Sequence, residues 1–116
     1  MQINHPKDPE NLTELEKKHW PKIECPDTVE AGKPFDVTIN IGTGLNHPSE
    51  HVHFIEWIDL SRENMNATRA ELQAKYSHPR VTFRMVLDND TTLTARESCN
   101  LHGIWENKKQ VRVKKA

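Results

Sequence analysis

The sequence predicts an all-β chain, an immunoglobulin-like sandwich of about seven strands. Period-two runs such as Phe35-Asp36-Val37-Thr38-Ile39-Asn40-Ile41 alternate apolar and polar residues, as a strand with one buried face requires. Strand-like segments recur at roughly 8–12-residue spacing, separated by turn-forming clusters. No internal repeat and no low-complexity tract interrupts them.

In chain order, residues 1–18 read as an N-terminal arm, polar and proline-bearing, with a short helical turn capped by Asn11 or Thr13. Pro21 disfavours helix at Trp20, so Glu16 to Pro21 reads as an extended loop. Residues 19–116 read as the sandwich domain. Lys22–Cys25 is a short strand, with Cys25 a small buried apolar residue. Phe35–Ile41 and Val52–Leu60 are the strongest strands. In the second, His53, Ile55 and Trp57 share one face, opposite Phe54, Glu56, Ile58 and Leu60. Ala67–Tyr76 is assigned to strand within this all-β pattern. Arg80–Leu87 follows, with Asn89-Asp90 as a hairpin turn. Thr91–Ser98 leads to Cys99, and Gln110–Val113 closes the sheet.

The 116 residues suffice for one core and not for two. A formal net charge of −1, with lysines and arginines dispersed, argues against nucleic acid as a partner. The chain has no apolar run of membrane-spanning length and no apolar signal segment at its start, so a cytoplasmic location is expected. In that setting the two cysteines are expected to stay unpaired. Seven histidines in so small a chain direct attention to metal.

The segment Cys99-Asn100-Leu101-His102-Gly103 places a thiol and an imidazole where a two-residue turn lets both reach one ion. His19, His47 and His53 are further candidates at strand ends and loops. His47 and His53 would lie roughly 20 Å apart in extended chain, so the loop between them must reverse.

These residues carry a resemblance. Cys99-Asn100-Leu101-His102-Gly103-Ile104-Trp105-Glu106 is similar to the C-N-x-H-G-x-W signature of the superoxide reductases, the neelaredoxin and desulfoferrodoxin group. His47-Pro48 followed by His53 resembles that family's H-P-x-x-x-x-H segment. Lys18-His19-Trp20-Pro21 with Ile23-Glu24 resembles its E-K-H-x-P-x-I-E segment. The resemblance implies one-electron reduction of superoxide to hydrogen peroxide at a mononuclear iron cycling between Fe2+ and Fe3+. It implies His19, His47, His53 and His102 in the equatorial plane and Cys99 as the axial thiolate, with Lys18 as a catalytic positive charge. The backbone amides after Cys99 would bond its sulfur. It also implies a one-iron form of the family, a small electron donor such as rubredoxin, and assembly into a dimer or tetramer.

The match is incomplete at one place. The family's glutamate, two residues before the first histidine, is Lys17 here, with Glu16 one residue earlier. The expectation is that water, hydroxide or nothing closes the sixth position. His51 competes with His53 on strand parity, and the family spacing selects His53. His5 and His78 stand outside any motif. Two alternatives are a cupredoxin-like copper electron-transfer sandwich, which would usually add a methionine shortly after the histidine, and a non-enzymatic immunoglobulin-like module. No methionine follows Met85.

Overall fold

Val37, Ile39 and Ile41, the apolar set of the clearest alternating run, are fully buried at the centre of one sheet. The structure is a computed structural model and describes residues 2–63, 65 and 67–115. The run forms β4 (Phe35–Ile41), flanked antiparallel by β2 (Pro21–Glu24) and β7 (Arg80–Met85) in a three-stranded sheet. Ile23 stands opposite Ile39, and Val37 opposite Phe83, so apolar pairs fix the register.

The second sheet holds β1 (Ile3–Asn4), β3 (Thr28–Glu30), β5 (Ile55–Arg62), β6 (Thr68–Glu71), β8 (Thr91–Cys99) and β9 (Gly103–Lys114). Its path runs β1-β9-β8-β5-β6, and β3 also pairs with β9. Ile58, Leu60, Leu93, Ala95 and Val111 belong to one core cluster with the β4 residues. Each of the buried Ile, Leu and Val side chains contributes roughly 1.5–3 kcal/mol. The result is an immunoglobulin-like sandwich with nine strands among the described residues. No helix among them is long and apolar enough to cross a membrane.

Several local expectations need correction. The short helical turn capped by Thr13 is present, but it runs on as α1 (Glu14–His19), so residues 16–19 are helix and not extended loop. Thr13 is its N-cap, and a capping box links Thr13 and Glu16 reciprocally. The effect of Pro21 reaches only Trp20, the extended C-cap residue.

In β5 the expected face assignment fails after Ile55. The ladder pairs Ile55 with Cys99 but Trp57 with Ser98, so an irregularity at Glu56 reverses the parity. Ile55, Ile58 and Leu60 therefore all join the core, while Trp57 lies beneath the Arg69 guanidinium at 3.8 Å.

Asn89-Asp90 does not close a hairpin, because β7 and β8 belong to different sheets. Leu87 is buried as the chain crosses between them. Asp90 Oδ1 accepts from the Val113 amide, which fastens the crossing to β9. Of Ala67–Tyr76 only Thr68–Glu71 is strand. The chain then turns, with the Ser77 amide donating to the Gln73 carbonyl at 3.0 Å.

Candidate metal centre

The end of β8 and the start of β9 form a tight hairpin, with Cys99 paired to Gly103. Gly103 adopts φ +79°, a left-handed conformation that glycine takes without strain, so the turn closes directly after His102. Cys99 is 2% exposed, and the amides of Leu101 and His102 donate to its sulfur. Burial pushes the thiol pKa up, and those amide bonds act in the opposite direction. His102 Nδ1 lies 3.8 Å from the sulfur.

His19 enters from the last turn of α1 and is fully buried. Its Nδ1–H donates to the Leu15 carbonyl at 2.7 Å, which leaves Nε2 unprotonated and directed inward. The Trp105 indole stacks on the imidazole, ring centroids 5.4 Å apart, and donates through Nε1 to the His102 carbonyl at 3.2 Å. One tryptophan thus braces two histidines.

Helix α1 meets the loop after β4 in close backbone contact. The Thr43 amide donates to the Lys17 carbonyl at 2.8 Å, and a Cβ on Gly42 would collide with that same oxygen. The His47 amide bonds the Ile41 carbonyl, and its ring Nδ1–H donates to the Pro48 carbonyl at 2.6 Å. Its Nε2 then faces Cys99 Sγ at 3.4 Å.

The reversal needed between His47 and His53 is present. Glu50 and His53 exchange backbone hydrogen bonds of 2.9 and 3.1 Å, with His51-Val52 as the turn. His53 therefore points into the cluster, whereas His51 is exposed beside Tyr76. His5 lies elsewhere, bonded to Glu106, and His78 is exposed.

The donor atoms of His19, His47, His53 and Cys99 all lie within 4.8 Å of one another. His102 lies just beyond that set, its ring 4.8 Å from His19 and 5.3 Å from His53 by centroid. The Nε2 atoms of His19 and His53 are buried with no hydrogen-bond partner among the described residues. Unpartnered buried nitrogens are costly unless something binds them, and a cation in their midst would satisfy both. Burial pulls the pKa of His47 down to about 4, and burial followed by the His102 imidazole lowers His53. Burial likewise lowers His19, against its bond to Leu15. Neutral imidazoles are the ligand form.

A family model described as desulfoferrodoxin matches residues 11–108, which include all five of these residues. The chain belongs to the desulfoferrodoxin family. A relative in Methanocaldococcus jannaschii, provisionally named a superoxide reductase, is 38% identical over 103 residues that cover 85% of this chain and 86% of that one. Neelaredoxin of Megalodesulfovibrio gigas is 30% identical, with 84% and 89% covered. Among solved structures, the superoxide reductase (neelaredoxin) from Ignicoccus hospitalis superposes with a TM-score of 0.74 at 39% identity, covering 83% of this chain and 81% of that one. Membership of the desulfoferrodoxin family sets aside the copper electron-transfer and non-enzymatic alternatives.

Two features of this desulfoferrodoxin site lay beyond the motif reading. Glu97, two residues before Cys99, is fully buried, and burial pushes its carboxyl pKa up to about 9. Its isolation in the core comes from strand pairing distant in sequence. Glu16 is committed elsewhere: Oε1 accepts from the Thr13 amide at 2.9 Å and Oε2 from the Lys7 amide at 3.2 Å. The capping box, T-x-x-E across Thr13–Glu16, was the available signal for that role.

Proposed function

We propose that this chain is a superoxide reductase, converting superoxide to hydrogen peroxide at a single non-haem iron held by His19, His47, His53, His102 and Cys99. The observation that carries the proposal is the convergence of four imidazoles around one buried thiol in a member of this family. Five donors exceed what a tetrahedral zinc site takes, and ferrous iron accepts imidazole and thiolate together. When bound, the iron supplies one electron to superoxide, and the thiolate donates electron density to the metal.

The protein's own groups account for the rest. Carbonyl acceptors on Leu15 and Pro48 hold the His19 and His47 rings with Nε2 inward, so neither of these imidazoles needs to shed a proton or rotate before binding. The amides of Leu101 and His102 stabilise the thiolate form of Cys99. Lys18 extends from α1 beside His19, its ammonium 3.8 Å from Glu14 and its side chain 39% exposed. It contributes positive charge to the approach of a small anion, a contribution that weakens as salt rises. The product takes two protons from solvent, and no dioxygen forms.

Glu16 does not close the sixth coordination position in this proposal, because both of its oxygens are engaged with backbone amides. The electron donor is a small one-electron protein such as rubredoxin. The setting is cytoplasmic, in keeping with the free thiols of Cys25 and Cys99. Assembly is as a dimer or tetramer, since the short edge strand β6 leaves backbone groups to be covered.

Purified protein should contain about one iron per chain and show a sulfur-to-metal absorption band on oxidation. With a reductant present, superoxide should disappear with peroxide produced and no dioxygen released. Cys99→Ser should lose band and activity together. Copper in the site, or dioxygen evolution, would overturn the proposal.

A further inference from the structure

Asn100 lies between Cys99 and His102 in sequence, but its bonding is directed at the segment that carries His53. Its Oδ1 accepts from the Phe54 amide at 2.9 Å, and its Nδ2 donates to the Val52 carbonyl at 3.0 Å. The Asn100 amide adds a bond to the Phe54 carbonyl at 3.2 Å. These bonds bracket His53 on both sides. The last backbone pair of the β5–β8 ladder is Ile55 with Cys99, so His53 falls just past the end of the sheet. There the Asn100 side chain takes the place of a further strand residue, offering one acceptor and one donor.

We propose that Asn100 is a positioning residue that sets His53 against the Cys99 sulfur, so that the two loops present their donors as one unit. The proposal rests on the metal-centre reading above. The need for such a device is local. His19 and His47 are steadied by ring N–H bonds to Leu15 and Pro48, and His19 also by the stacked Trp105. His53 follows a two-residue turn on an outer loop whose Val52 is 74% exposed. Without the bracket, ordering that loop would fall to the metal itself, and the affinity would drop by the cost of ordering.

The test uses cobalt(II) as the probe, since its absorption reports coordination number and thiolate bonding. Wild-type protein, Asn100→Ala, Asn100→Asp, Cys99→Ser and the distant control Thr38→Val are titrated. In parallel, amide exchange at Phe54 is followed without metal. Asn100→Ala should bind cobalt roughly 10- to 100-fold more weakly, in the range expected when a group orienting a ligand is lost. Its visible bands should intensify toward a four-coordinate pattern, and Phe54 exchange should accelerate. Asn100→Asp keeps the acceptor for Phe54 but loses the donor to Val52, so it should fall between, and it carries the question if Asn100→Ala does not fold. Thr38→Val should match wild type.

Wild-type cobalt affinity and bands in both Asn100 variants, despite faster Phe54 exchange, would overturn the proposal. Unchanged cobalt binding in Cys99→Ser would instead sink the metal-centre reading itself, so the two failures are distinguishable.

Discussion

Cys99 and three imidazoles beside it, those of His19, His47 and His53, are shifted in opposite directions, and both shifts have consequences for metal uptake. Burial raises the thiol, so at neutral pH it carries a proton that a metal must displace. Burial lowers His19, His47 and His53, so these three are already neutral and have no proton to give up. Cobalt binding at pH 7 should therefore release about one proton per chain, and log affinity should rise with a slope near one as pH increases toward the thiol pKa. On acidification the steeper fall caused by imidazole protonation should be delayed below the ordinary histidine value of about 6.5, toward about 4 for His47. Calorimetry in buffers of different ionisation enthalpy reads the proton count directly. Release of three or four protons would mean that the imidazoles are not held neutral.

At the scale of elements, α1 and the loop after β4 are built against each other. An added methyl at Gly42 meets the Lys17 carbonyl, a backbone atom that cannot swing aside. Gly42→Ala should cost about 1–3 kcal/mol in thermal or denaturant unfolding and weaken cobalt binding, because helix and loop carry His19 and His47 respectively. Glu16→Ala acts on the other end of the same helix. It should cost about 1 kcal/mol through the lost cap and leave the spectrum of the oxidised iron form unchanged. Disappearance of a carboxylate-bound species would show that Glu16 reaches the metal after all.

These elements also show what the residues disclosed in advance. The bounds of β4 follow from its alternation, and Cys99 with His102 could be paired because a turn is local in sequence. The parity of β5 could not be read, because the irregularity at Glu56 is imposed by pairing with β8 across the sheet. The short strands β1 and β3 pair in parallel with β9, nearly the whole chain away, and carry no periodic signal of their own. In α1, the capping box at Thr13 and Glu16 outweighed the proline at 21.

For the whole molecule, the proposed electron donor needs a place to dock, and three exposed apolar side chains flank the ligands in sequence. Leu45, Val52 and Leu101 are 38, 74 and 60% exposed, and each lies within two residues of His47, His53 or His102. Val52→Asn, which adds no charge, should slow reduction of the oxidised protein by rubredoxin about tenfold, as expected for losing one apolar contact at an interface. Reduction by ascorbate and the rate of superoxide consumption should be unchanged. Equal slowing with both reductants would place the effect in the metal site rather than in docking.

The positions of His19 and His102 give the metal a mechanical role. An ion joining them ties the N-terminal helix to the C-terminal hairpin across most of the chain, as a cross-link would. The donors come together only where α1 docks on the sandwich and β8 pairs with β5, so binding of the ion is coupled to that arrangement. Loss of the ion proposed for the site would undo that tie and leave the short helix that carries His19 held by protein contacts alone.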